Sequence, residues 1–145
     1  MRIARNEIVA LARGWIGTPY RHQGARKGVG CDCLGLVRGV WRELYGGETE
    51  VPGPYRIDWP VAGGRERLAE AAERHCGAAV AAAKALAGDI LIFRWKGALP
   101  ASHAGILSAE DRFIHAYAGE AVVESALTDP WRRRIAFVFR FPGVE

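Results

Sequence analysis

Five short runs toward the C-terminal end restrict the possible folds more than any other feature. From Gly88 onward the chain reads GDILIFRW, SHAGILSA, DRFIHAYA, EAVVESAL and RIAFVFRF. Each run is rich in β-branched and aromatic residues and bounded by turn-forming ones, the pattern of short strands. The last alternates, which predicts Ile135, Phe137, Phe139 and Phe141 on one side. Before Gly88 the apolar spacing is helical. Asn6 is a predicted N-cap, with Ile8, Val9, Ala12, Trp15 and Ile16 on one helix ended by Gly17. A second helix is expected from Cys33 to Tyr45, with Cys33, Val37, Val40, Trp41 and Leu44 on one face and Gly46-Gly47 as its stop. A third spans about Arg65 to Cys76, and the alanine-rich 78–87 either continues it or forms a separate segment. Between them, VPGPYRIDWPVAGG reads as an irregular connection. Helices first and an antiparallel meander afterwards predict an α+β domain, not a doubly wound sheet. At 145 residues, positions 1–145 fit a single domain.

The formal charge is +4 with 20 Lys and Arg, but these are scattered. The dense run Arg132 to Arg134 is read as a solvated turn, so no nucleic-acid partner is expected. The N-terminal stretch MRIARNEIVALARGW lacks the apolar core and cleavage site of a signal peptide, and no segment is long enough to span a bilayer. The expectation is synthesis in the cytoplasm, with any work elsewhere needing a carrier or lysis.

The three cysteines are too few for a disulfide scaffold. Cys31 and Cys33 sit in GVGCDCLGLV, where three readings compete. A zinc site lacks a second ligand pair, so no metal or other cofactor is expected. A disulfide between residues two apart would close a strained ring. A single nucleophile fits better: Cys33 opens a helix, Asp32 can cap it, and the positive helix end favours a thiolate.

Such a nucleophile needs a base. His22 lies in the glycine-rich loop and His75 on a helix face, where it reads as structural. His103 and His115 occupy two successive predicted strands. A hairpin centred on Ala109 would make them direct cross-strand partners on one face. That places a base and its orienting residue beside the helix-mounted thiol. Asp89, in GDIL, is a rival orienter but reads as a turn cap. Trp15 and Trp41 are expected in the core, while other tryptophans could offer platforms to a sugar or peptide.

These residues resemble the NlpC/P60 cysteine peptidases of bacterial cell walls. GTPYRHQGARKGVGCDCLGLV is similar to that family's G-x-P-Y…DCSGLV, and GDILIF, HAGIL and FIHA follow in family order. The segment HQGARKGVGCDCLGLVRGVWRELYG resembles the phage-encoded branch, including phage-tail and gene-transfer-agent peptidases. The resemblance implies a compact papain-like fold and a Cys33, His103, His115 triad. It also implies Tyr20 facing the nucleophile to help bind substrate or oxyanion, and Asp32 recognising a free amino group. The implied partners are peptidoglycan stem peptides, cut near D-glutamate and diaminopimelate, and phage-tail or gene-transfer-agent proteins. Leu34 stands where the family has serine, which leaves the catalytic residues intact but departs from the family's commonest substrate preference. Two alternatives stand beside this reading: an amide hydrolase or acyl transferase with the same triad on another substrate, and a structural tail component with a vestigial site, against which retention of Cys33, His103 and His115 argues.

Overall fold

The computed structural model describes residues 2–48 and 50–145. Helix α1 (Arg5–Arg13) leads through a loop into a small ribbon, β1 (Ala25–Arg26) and β2 (Gly30–Cys31). Helix α2 (Cys33–Tyr45) and helix α3 (Arg67–Cys76) follow. The remainder forms β3 (Ile90–Phe93), β4 (His103–Ala109), β5 (Arg112–Ala116), β6 (Val122–Ala126), the short α4 (Asp129–Arg133) and β7 (Ile135–Phe139). The fold is α+β, as the strand-like runs require, with an antiparallel five-stranded sheet. No helix among the described residues is long and apolar enough to cross a membrane.

The sheet order is β6-β5-β4-β3-β7. The meander therefore holds only from β3 to β6; β7 returns to the far edge and pairs with β3. Its alternation is also broken. The register slips between Ile92 and Phe93, so Phe137 and Phe139 pack with the helices while Ile135 joins the opposite face. A bulge adds one residue and reverses the side on which the next ones point.

Two cores result. Ile90, Ile92, Ala104, Ile106 and Ile114 pack under α1 and α2, with Trp15 buried as expected. On the other face Leu91, Phe93, Leu107, Phe113 and Val138 gather beneath Trp131 of α4. Arg132 to Arg134 thus end a short helix instead of forming a plain turn.

Helix boundaries depart from expectation where the caps do. Helix α1 starts at Arg5 after Ala4, which gives no side-chain cap, and Asn6 lies within the first turn. Ile16 is exposed, beyond the helix end. Helix α2 has the expected bounds, with Gly46 left-handed at its C-terminus. Its most buried residues are Gly35, Leu36, Gly39 and Val40; Cys33, Val37, Trp41 and Leu44 are only partly covered. The glycines permit close approach: a methyl at Gly39 would meet the Trp15 ring at 2.0 Å, and one at Gly35 the Gly24 carbonyl at 1.8 Å. Residues 78–87 do not continue α3. Gly77 turns the chain, and only Ala82–Lys84 form a helical turn.

Candidate active site

The start of α2 is assembled around one carboxylate. Asp32 is 4% exposed and accepts the Gly35 N–H at 2.7 Å, the N-cap bond read from the sequence. Its other oxygen accepts the Gln23 N–H at 2.8 Å and the Tyr55 hydroxyl. Gln23 adopts φ +66°, a conformation that non-glycine residues rarely take, and this turns its amide toward Asp32. His22 Nδ1 lies 4.0 Å from the same carboxylate, while His22 Nε2 and the Gln23 amide engage the Tyr55 carbonyl. The connection that reads as irregular is therefore folded over the nucleophile helix through Tyr55. No local pattern in VPGPYR marks that role.

Cys33 follows at the first helical position and is half-buried. The backbone amides of Ala104, Leu34 and Cys33 lie near its sulfur and favour the thiolate. Ala104 adjoins His103 on β4. The β4–β5 pairing runs no further than Ile106↔Ile114, which leaves the Ala104 amide to the thiol.

His103 and His115 meet, by a register different from the expected one. The strands pair Ile106 with Ile114 and Leu107 with Phe113, so the hairpin centres one residue beyond Ala109. Extending that register places Gly105, not His103, opposite His115. Moving the centre by one residue moves each partner by two, which keeps the same face. The histidines are diagonal neighbours, within reach of long side chains. His103 Nε2 lies 2.8 Å from His115 Nδ1, and His115 Nε2 lies 2.9 Å from Ser125 Oγ on β6. Gly105 makes room: a Cβ there would lie 3.1 Å from that of His115.

The pair is 6% and 1% exposed and enclosed by rings. Trp131 lies 6.0 Å from His103 and 5.2 Å from His115, while Trp95 and Tyr117 stand at 5.6 and 6.1 Å from His103 with exposed outer faces. Burial lowers the His103 pKa to about 3, with repulsion from His115 added, and lowers that of His115 to about 4. Both rings are neutral at pH 7.

The thiol differs from the expected thiolate. Burial, then the Asp32 charge, push Cys33 up to about 12, outweighing the three N–H groups at its sulfur. A helix N-terminus alone does not overcome a desolvated site with a carboxylate beside it. Cys31, fully buried, is likewise raised to about 12, and Cys76 to about 11. All three cysteines are free.

Tyr20 is half-buried and bridges to Cys31. Its phenol pKa is raised by burial, then by Cys33 and Asp32, which puts the ring within electrostatic reach of the thiol. Asp89 stands apart. It is bound by Arg5 at 2.8 Å and Arg140 at 3.3 Å, and accepts the Leu86 N–H, so it closes a turn as the sequence indicates. His75 pairs with Glu50 at 2.7 Å and packs against Trp41, a structural setting. Sequence reading did not find Ser125, Gln23 or Tyr55. Only Ser125 carried a signal, since its parity along β6 is computable once the pairing is known.

A nucleophile-bearing helix end, a buried histidine pair and an adjacent phenol provide for attack on a carbonyl and transfer of a proton. Comparison with known proteins shows the family. Residues 17–140 match the model of the NlpC/P60 family. The chain is 30% identical to the gamma-DL-glutamyl hydrolase of Bacillus subtilis (strain 168) over 94% of its own length. It is 27% identical over 90% of its length to the murein DD-endopeptidase MepS/murein LD-carboxypeptidase of Escherichia coli (strain K12). It spans 29% and 59% of those two relatives. The solved NlpC/p60 domain of the peptidoglycan hydrolase SagA superposes with a TM-score of 0.64 at 26% identity, covering 96% of this chain and all of that one.

Proposed function

The chain belongs to the NlpC/P60 family, and on that premise we propose that it is a cysteine peptidase cleaving the peptide part of bacterial cell wall. The observation that carries the reading is the buried His103–His115 hydrogen bond, one residue along β4 from the Ala104 amide near the Cys33 sulfur. The names of the relatives support glutamyl and murein peptide bonds as the substrate class.

In this mechanism the resting site holds a neutral thiol and a neutral imidazole. His103 takes the thiol proton as the sulfur bonds to the amide carbonyl carbon. The Cys33 N–H and the Tyr20 hydroxyl receive the developing oxyanion, one such donor being worth ~3 kcal/mol. Protonated His103 then gives its proton to the departing amine, and His115 stabilises it meanwhile by accepting from Nε2. Water, deprotonated by His103, releases the acyl group. Asp32 acts through its field, because its oxygens are already covered by Gly35, Gln23 and Tyr55.

The finer parts of the proposal are a cut near D-glutamate and diaminopimelate, and delivery to the wall by a phage tail or gene transfer agent. Resemblance of the HQGARKGVGCDCLGLVRGVWRELYG segment to that branch supports the latter. A second reading, an amidase or acyl transferase on a more apolar substrate, is favoured by one feature. Leu34 opens onto a cavity of about 100 Å³ lined by Trp41, Leu68 and Ala104.

The test is mass spectrometry of fragments released from purified peptidoglycan. Wild type is expected to release peptides, while Cys33→Ala and His103→Ala release none and His115→Ala releases fewer. No fragments from wild type on any wall, with acyl transfer to small amines instead, would favour the second reading. Inactivity toward both, with Cys33→Ala particles assembling and delivering DNA normally, would leave a structural tail component.

A further inference from the structure

The two histidines do not end the hydrogen-bonded line. Phe113 pairs with Ser125 and His115 with Val123, so Ser125 is the diagonal neighbour of His115 on the side away from His103. Three side chains from β4, β5 and β6 therefore share a face and touch in order: His103 Nε2 to His115 Nδ1 at 2.8 Å, then His115 Nε2 to Ser125 Oγ at 2.9 Å.

Two neutral imidazoles in this line have only two consistent proton arrangements. In one, His103 Nε2–H donates to His115 Nδ1, and His115 Nε2–H donates to Ser125. The lone pair of His103 then lies on Nδ1, the nitrogen His115 does not engage. In the other, the serine hydroxyl donates to His115 Nε2, His115 Nδ1–H donates to His103 Nε2, and His103 Nδ1 carries a hydrogen. Only the first leaves a base. Ser125 is half-buried, so its hydroxyl hydrogen can go to solvent while its oxygen accepts.

We propose that Ser125 is a positioning residue of this site, which by accepting the His115 Nε2–H holds both imidazoles in the Nε2–H tautomer and keeps His103 Nδ1 free as the base. The role rests on the peptidase reading above. The titratable groups near the line are the Cys33 thiol from α2 and Tyr117 just past β5. Glu124 turns to the opposite face, where Ser108 and Arg13 bind it. None of these supplies His115 with another acceptor, so loss of the serine oxygen would leave a 1% exposed N–H without its partner.

The experiment is long-range ¹H–¹⁵N correlation of the histidine rings at pH 7 in wild type, Cys33→Ala and Ser125→Ala, with kinetics on wall peptides alongside. In wild type and Cys33→Ala, both histidines are expected to show a protonated Nε2 and an unprotonated Nδ1. Ser125→Ala is expected to disturb that pattern and lower kcat about five- to tenfold with KM unchanged. Ser125→Thr, which keeps the hydroxyl, should restore both. A hydrogen on Nδ1 of either ring in wild type would overturn the proposal. So would a folded Ser125→Ala with unchanged tautomers and kcat. The ring spectra need no turnover, which separates the two readings: expected tautomers together with full activity in His103→Ala would defeat the peptidase mechanism and leave the proton order standing.

Discussion

Asp32 and Asp89 are both buried carboxylates just before a regular element, and both cap a backbone turn, yet they do opposite work. Asp89 is fully buried between two guanidinium groups, Arg5 from α1 and Arg140 just beyond β7. Its charge is neutralised where it stands and ties three distant segments together. Asp32 accepts from two amides and a phenol, and the nearest ionisable nitrogen is His22 at 4.0 Å. Its field therefore reaches outward: it helps raise the pKa values of Cys33, Cys31, Tyr20 and Tyr55. A buried carboxylate beside cations is a fastener. One held by neutral donors adds its field to burial in raising the pKa values of its neighbours.

Asp89→Ala breaks the first corner and should show the largest effect. Stranding Arg5 and Arg140 in partly buried positions should cost ~3 kcal/mol in urea unfolding, while the folded fraction keeps its activity. A cost as small as that of an exposed pair would erase the distinction between the corners.

Acid titration addresses the second region, where the His103 and His115 rings are buried and neutral at pH 7. The folded chain keeps His103 and His115 neutral to about 3 and about 4, whereas an unfolded histidine protonates near 6.5. Below that value the unfolded state binds more protons, so stability falls as the pH drops from about 6.5 toward 4. Each histidine contributes at most ~1.4 kcal/mol per pH unit. Urea midpoints across that range should decline in wild type and flatten in His115→Gln.

Asp32→Asn removes the outward field and keeps the cap. Asparagine keeps the Gly35 cap but turns a donor toward the Gln23 N–H and the Tyr55 hydroxyl, so stability should fall by ~1–3 kcal/mol. The Cys33 pKa should fall, seen as an alkylation rate that rises at lower pH than in wild type. An unchanged pH profile would show that burial alone protonates the thiol. Smallest of all, Tyr55→Phe should cost ~1 kcal/mol through one lost hydrogen bond. It should also loosen the 51–58 connection, readable as faster amide exchange at Gln23.

Legibility in the sequence follows contact distance along the chain. The α2 boundaries, its Asp32 cap and its glycine stop are decided within a few residues, and GVGCDCLGLVRGVWRELYGG states them outright. The burial face of α2 was less legible. Gly35 and Gly39 carry no hydrophobic signal, and their value lies in letting Gly24 and Trp15 come close. The β7 alternation failed at a bulge set by its partner strand. The histidine pair was legible as a pair because parity survives a two-residue shift, although the register itself was not.

The sequence alone determined the α+β order, the helix that presents Cys33, and the common face of His103 and His115. Each follows from backbone periodicity or from a cap closed locally. Only the tertiary structure decided that the thiol is protonated at rest, that Tyr55 closes over Asp32, and that Ser125 extends the histidine line. Those outcomes depend on desolvation and on contacts between residues far apart in the chain, and neither is encoded in local spacing.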